Sequence, residues 1–307
     1  LHSDRQVYLT AVNRTSPTTG PALTFAAMTP DLDHYCGRGG RVLPLWSDRD
    51  ITTPNVRTAV LDALQAAYGA AVLADDVFAY IAAVAAHPAY TVRFAGDLVQ
   101  PGLRIPLTAD ADLFARAVAM GREVIWLHTF GERFADPAAG RPATPPRLPK
   151  GAAPTIPAAG AIPETAEDMP DTITYDPAKR CLHIGKGFVD NVAPEVWAYE
   201  VSGKQVLTQW FSYRGKDRSR PIIGDRRPPS PLGEIQPKGW LGEYTVELMN
   251  LLHVLGRLVA LEPAQAKLLE EIVSGPLIAA DAIAAPAEQT TRRRATTARQ
   301  PSLLDDA

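Results

Sequence analysis

The chain has 307 residues, 46% of them hydrophobic and 21% charged, with a formal net charge of −3 at pH 7. That is the composition of a globular protein with a core to bury, of one large domain or two modest ones, and it excludes a wholly disordered or collagen-like chain. No uninterrupted apolar run approaches the roughly 18–20 residues of a membrane span, and Cys36 and Cys181 stand far apart without zinc-ligand spacing, so no membrane association and reduced, cytoplasmic thiols are expected.

The opening LHSDRQVYLT is polar, unlike a signal peptide, and its lack of Met fits the downstream part of a longer polypeptide. Val7–Val12 is rich in strand formers, and Leu23–Phe25 reads as a second strand after the Gly20-Pro21 turn. Gly37–Arg41 is a glycine-rich loop, followed by the apolar Val42–Trp46. The period then changes: Val56, Ala59, Val60, Ala63, Leu64 and Ala67 share one helical face. A second helix begins at Asp75 or Asp76 and stops at Pro88; a third runs from Asp110 to Met120, with Thr108 as candidate N-cap and Gly121 as its end. Val124–His128 reads as a buried strand. From Pro137 to Pro170 there are nine prolines, a density that helices and central strands do not tolerate, so this stretch is expected to be a surface loop or semi-extended linker.

Beyond it, Ile173–Tyr175, Cys181–Ile184 and Gly187–Val189 look like short strands, and Glu195–Val201 fits either a strand or a helical turn. Val246, Leu248, Leu251, Leu252, Leu255, Leu258 and Val259 follow helical spacing; Pro263 then opens a second helix carrying Leu268, Leu269 and Ile272, which Gly275-Pro276 ends. The predicted organisation is an N-terminal α/β part (1–134), a Pro-rich linker or surface loop (135–171), a C-terminal part with a basic loop and a helical hairpin (172–278), and a disordered tail (279–307). The fold class is α+β, with mixed short strands and helices.

The stretch 202–227 stands out. From Lys204 to Arg227 it holds seven basic residues (Lys204, Arg214, Lys216, Arg218, Arg220, Arg226, Arg227) against Asp217 and Asp225, with Trp210, Phe211 and Tyr213 just ahead of the densest charge. In a slightly acidic chain such a patch is the footprint expected for a phosphate backbone, although a solvated surface loop has the same composition. Arg38 and Arg41, flanking Gly39-Gly40, fit either a phosphate clamp or arginines paired with Asp31 or Asp33.

Catalytic signatures are missing. There is no GxGxxG after a strand, Walker A, GxSxG or HExxH, and no nuclease spacing of the PD…(D/E)xK type. The Pro-Pro pairs, Thr144–Arg147 and Arg227–Ser230, do not form the catalytic loop of an amino-directed DNA methyltransferase, and its cofactor-binding glycine motif is absent too. His128 admits a general-base reading beside a hydrogen-bonded structural one.

Several segments together carry a resemblance: Gly20–Trp46, Asp76–Phe94, Pro101–Phe114, Gly121–Phe134, Pro194–Arg214 and Leu248–Pro263. In that order they resemble the C-terminal specificity region of Type ISP restriction-modification enzymes, whose members are often labelled adenine-specific DNA methyltransferases. The resemblance implies a target recognition domain that grips double-stranded DNA and works with a methyltransferase domain in cis or in trans. It implies that S-adenosylmethionine, ATP and Mg belong to upstream domains and that this chain carries no catalytic residues and holds no metal or cofactor. Arg214, Lys216, Arg218 and Arg220 are then the foremost phosphate contacts, with Lys204, Trp210 and Tyr213 beside them. Gln209, Arg226 and Arg227 are candidates to reach base edges, and Arg38 and Arg41 a second clamp. The competing readings are a stand-alone DNA-modifying enzyme with diverged motifs and a protein-docking domain.

Overall fold

The computed structural model describes residues 3–12, 17–31, 40–100, 102–216 and 237–283. The fold is mixed α+β. β1 (Tyr8–Val12) is the centre of a three-stranded antiparallel sheet between β2 (Leu23–Ala26) and β3 (Gly40–Pro44). Thr10 lies opposite Thr24 on one side and Val42 on the other, and the Thr10 and Thr24 hydroxyls share a 2.8 Å hydrogen bond. All of β1 is buried, whereas β3 alternates half-buried and exposed residues, as an edge strand does. Gly40 and Arg41, read as the end of a loop, are already in β3.

The helices α1 (Thr58–Tyr68), α2 (Ala74–Ala85) and α3 (Pro88–Arg93) follow. Pro88 ends α2 as expected and also begins α3, because its fixed φ and missing N–H suit the first turn of a helix. α4 runs from Ala111 to His128. Its N-cap is Asp110, whose carboxylate accepts from the Leu113 N–H at 2.9 Å; Thr108 instead takes the Asp110 N–H on its hydroxyl.

α4 corrects two expectations. Gly121 does not end it, and Val124–His128 is its last turn and a half, not a strand. Gly121 lies against α2, so close that a Cβ there would meet the Ala79 carbonyl oxygen at 1.6 Å. The glycine is needed for contact between helices rather than for a left-handed cap. Asp76 and Arg122 bridge the same pair at 2.6 Å.

Three tyrosine hydroxyls hold the extended segment before α4. Tyr90 donates to the Arg104 carbonyl, Tyr80 to Pro106 and Tyr68 to Thr108, at 2.6, 2.7 and 2.6 Å. Arg133, nearly fully buried after α4, donates to the carbonyls of Ser3, Gln6 and Ala27 and so ties the N-terminal strand to the helices.

Residues 135–171 follow as loop with two single 3-10 turns, Pro137–Ala139 and Ala158–Gly160. The Pro142 carbonyl accepts from the Trp126 indole, the Leu148 N–H donates to His253, and Thr155 and Asp190 exchange two backbone hydrogen bonds. A second antiparallel sheet is formed by β4 (Ile173–Asp176), β5 (Cys181–Ile184) and β6 (Gly187–Val189). Glu195–Val201 resolves into both structures the sequence allowed, with α5 (Pro194–Trp197) followed by β7 (Glu200–Val201). β7 pairs with β8 (Lys204–Gln205), and α6 (Val206–Ser212) follows at once.

The expected C-terminal helical hairpin is instead one helix, α7 (Gly242–Ser274), with Pro263 inside it. Leu248, Leu252, Leu255 and Leu258 before the proline, and Gln265, Leu269 and Ile272 after it, are buried in one continuous helical phase, while Pro263 faces outward. Packing along both halves therefore offsets the hydrogen bond that the proline cannot donate. α7 is long and apolar enough to cross a membrane by length and composition, yet it contributes these leucines and Ile272 to the same core as β1, α2 and α4. Ile278 and Ala109 complete the packing, exchanging backbone hydrogen bonds with Leu107 and Pro276. Of the tail, Ala280–Ile283 forms a 3-10 turn, and 284–307, with Arg292–Arg294, lie outside the described residues.

Candidate functional site

The β7–β8 hairpin turns through Ser202 and Gly203, both with positive φ (50° and 76°), a geometry that suits a two-residue hairpin. It is seated on Gly20, where a Cβ would meet the Glu200 carbonyl oxygen at 2.0 Å, and the Thr19 hydroxyl donates to the Glu200 carboxylate at 2.7 Å. α6 continues from the hairpin with Leu207 and Phe211 buried. Trp240, almost fully buried, packs edge-on against Trp210 and Tyr244, with ring centroids 6.0 and 5.4 Å away.

Arg214 closes this cluster. Its guanidinium lies over Trp210 at 4.7 Å and Tyr244 at 5.7 Å, donates through Nε to Glu247 at 2.7 Å, and donates through Nη1 to the Trp210 carbonyl. These contacts bolt α6 to α7.

Between α6, α7 and the sheet lies a cleft of about 870 Å³. Its floor is α7, through Leu251, Val254, Leu255 and Leu258. One wall is the hairpin and α6, with Lys204, Val206, Gln209, Trp210 and the adjoining Tyr213. The other is β2 and the end of α4, with Thr24, Phe25, His128 and Phe130. Most of the lining is apolar. Lys204 and Asp31 bring charge, and Gln209, His128 and the hydroxyls of Thr24, Tyr199, Ser202 and Tyr213 bring hydrogen-bonding capacity.

The end of α4 has an unusual residue at its turn. The Gly131 N–H bonds to the Trp126 carbonyl and the Phe130 N–H to Leu127, the pair of bonds that closes a helix with a left-handed residue. That residue is Phe130, at φ 53°, in the place that glycine normally takes. Its ring lines the cleft and is 38% exposed.

His128 sits on the last turn of α4, where its Nδ1 accepts from the Phe25 N–H at 3.2 Å. The proton of the neutral ring is therefore on Nε2. Burial pulls its pKa down to about 4, so the ring is uncharged at neutral pH. On α7 beyond Leu258, burial pushes Glu262 up to about 7, and burial together with the Glu262 charge raises the hydroxyl of Tyr199, which lines the cleft. Among the described residues no group of three or more His, Cys, Asp or Glu is placed to hold a metal ion.

Lys204, Gln209, Trp210 and Tyr213, taken from the sequence as binding candidates, all line this one cleft. Lys216 is exposed, with its backbone N–H bonded to Pro170 at 2.6 Å. Arg41 is exposed on β3, the sheet edge opposite β2. Arg38, Arg218, Arg220, Arg226 and Arg227 lie outside the described residues. The sequence reading missed Phe25, Phe130 and the apolar face of α7. The signal the sequence offered for Phe130 was a Phe-Gly pair just past the apolar run Val124–His128.

Residues 1–250 match the family described as the Type ISP C-terminal specificity domain. No curated protein sequence matches the chain. Among solved structures, the fold is similar to that of DrdV in a DrdV–DNA complex, with 19% identity and a TM-score of 0.57 over 87% of this chain and 24% of that one. It is also similar to a nuclease-deletion mutant of the Type ISP restriction-modification enzyme LlaGI in complex with a DNA substrate mimic (16% identity, TM-score 0.54, 87% of this chain and 21% of that one). A third likeness is to the ATP-dependent Type ISP restriction-modification enzyme LlaBIII bound to DNA (14%, 0.56, 87% and 16%). The chain thus spans about a quarter or less of the length of each of these proteins.

Proposed function

The chain belongs to the Type ISP C-terminal specificity domain family, and on that premise we propose that it is the target recognition module of a Type ISP restriction-modification system, gripping double-stranded DNA and reading its site. The observation that carries this reading is the family match over residues 1–250. The gathering of Lys204, Gln209, Trp210 and Tyr213 around one cleft, with Lys216 exposed nearby in sequence, supports it. The solved enzymes of similar fold are bound to DNA or a DNA mimic.

In this reading Lys204 and Lys216, with Arg218 and Arg220, neutralise phosphates. Gln209, Arg226 and Arg227 are the base-edge readers, and Arg38 with Arg41 forms a second clamp. Arg214 orients α6 through Glu247 and Trp210. Catalysis, with S-adenosylmethionine, ATP and Mg, belongs to a methyltransferase and other domains in cis or in trans. The sequence has no glycine motif that fits these cofactors, and His128, neutral and already accepting through Nδ1, has little basicity to give a reaction. The setting of such a system is the cytoplasm.

The test is fluorescence anisotropy of the chain with short duplexes at two salt concentrations, followed by selection from a random-sequence pool. Affinity that weakens steeply with salt, with one short motif enriched, is expected. Absence of binding at low salt would overturn the reading for this chain.

A further inference from the structure

We propose that the cleft between α6, α7 and the end of α4 is a receptor for one nucleobase swung out of a nucleic-acid strand, with its ring against Phe130 and Tyr213 and its phosphate toward Lys204. This rests on the DNA-recognition reading and goes beyond it, because paired bases offer a protein their edges, while this site is built for a base's face.

Two large aromatic side chains are left in solvent at the same cleft, Tyr213 at 74% exposure and Phe130 at 38%. Phe130 is held there at a cost. A residue with a Cβ in the left-handed region loses about 1–2 kcal/mol, and glycine at this helix-closing position would avoid the loss. Ile51, Phe134, Arg180, Asn191 and Ser202 hold positive φ as well; Phe130 is the aromatic one among them whose ring lines the cavity.

The polar complement fits the same ligand. Gln209 presents an amide with both donor and acceptor. His128, with Nδ1 occupied by the Phe25 N–H, keeps Nε2–H as its donor. Lys204 brings positive charge to the hairpin side of the cleft, so an anionic backbone is drawn there. A base needs this combination of stacking faces, edge donors and acceptors and one cation. A purely aliphatic ligand would leave the amide, the imidazole and the ammonium without partners. The volume of about 870 Å³ lies in the range of small-molecule sites and leaves room for sugar and water beside the ring.

The experiment compares two duplexes of one sequence on the full 307-residue chain, one fully paired and one with a single bulged 5-iodouracil. Anisotropy at low salt should give the bulged duplex an affinity higher by about ten-fold, the order set by stacking one base on an aromatic side chain. Irradiation should cross-link the iodouracil to Phe130 or Tyr213, located by peptide mass. Phe130→Gly and Tyr213→Ala should each remove most of the preference, bringing the ratio of bulged to paired affinity close to one. Phe130→Gly should also unfold at no lower temperature than the parent, which separates loss of the ring from loss of the fold. Equal affinity for the two duplexes, or a preference that survives in both variants, would overturn the inference and leave the DNA reading standing. No binding of either duplex would overturn both.

Discussion

The sequence offers Arg214 as a phosphate contact, yet folding gives its guanidinium to Glu247 and to the faces of Trp210 and Tyr244. Replacement by Met should therefore cost stability, by about 1–2 kcal/mol for a half-buried cation held by an ion pair and two rings. Urea denaturation measures it, and a double-mutant cycle with Glu247→Gln should return about 0.5–1 kcal/mol of coupling. Unchanged stability in Arg214→Met would mean that the guanidinium is held only loosely. The histidines give a pH dependence. Burial holds both His87 and His128 near a pKa of about 4, against an ordinary 6.5. Between those values the unfolded chain takes up protons that the folded chain refuses, so their contribution to stability is whole above pH 6.5 and is lost as pH falls toward 4. Glu262, raised from 4.5 to about 7, works the other way; its contribution is whole below pH 4.5 and is lost as pH rises through 7. Between pH 4.5 and 6.5 two histidines oppose one carboxyl, and the net effect of these groups is stability that rises with pH. His128→Gln, which keeps an acceptor for the Phe25 N–H, should flatten that rise by up to one proton's worth of slope. An identical slope in the variant would show that His128 does not titrate with unfolding.

At the scale of elements, the close contact of α2 and α4 hangs on one missing methyl group. Gly121→Ala would drive a Cβ into the Ala79 carbonyl and force the helices apart, a cost of about 3 kcal/mol or more. Gly151→Ala, where a Cβ meets nothing within 4 Å, is the neutral control. Thermal unfolding of the two variants checks this, and equal midpoints would show that α2 and α4 can separate cheaply. The same glycine explains where the sequence was legible and where it was not. β1, β2, β4, β5 and β6 were readable because branched and aromatic residues were bounded by turns, and α1 and α2 because an apolar stripe ended at Gly or Pro. α4 was cut short because a glycine after a periodic run normally marks a helix end, and here it marks a contact. The phase in fact continues through it, from Phe114 and Ala117 to Gly121 and Ile125, once glycine is counted as a core residue. α7 was split for a related reason. Pro263 looked like a start, and the buried position that would have carried the phase across it is Gln265, a polar residue whose amide donates to the Ala83 carbonyl. The cleft was half legible. Its basic and aromatic wall lies in one stretch of sequence, while Phe25, Phe130 and the α7 floor come from segments more than a hundred residues apart, which only folding brings together.

For the whole molecule, one hydrophobic core joins the N-terminal sheet, the helices and the residues beyond the proline-rich segment. The cleft walls are thus anchored to a common interior, and surface charge can be changed without touching it. The net charge of −3 makes long-range attraction to a polyanion weak, so affinity for DNA must come from local contacts that displace counterions from phosphates. Each such contact contributes about −0.9 to the slope of log affinity against log salt, independently of sequence. Lys216 is exposed and Lys204 stands at the cleft rim, and neither makes a side-chain ion pair among those described. The double variant Lys204→Ala/Lys216→Ala should therefore keep the parent's unfolding midpoint and enriched motif, while its salt slope becomes shallower by about 1.8. Arg214→Met should behave differently, lowering the midpoint and changing the slope by less than a full contact, because its charge is already shared with Glu247. Anisotropy titrations over a series of salt concentrations separate the two. If the lysine variant kept the parent's slope, the phosphate track would have to avoid the hairpin and the end of α6, and the recognition surface would have to be placed elsewhere on the fold.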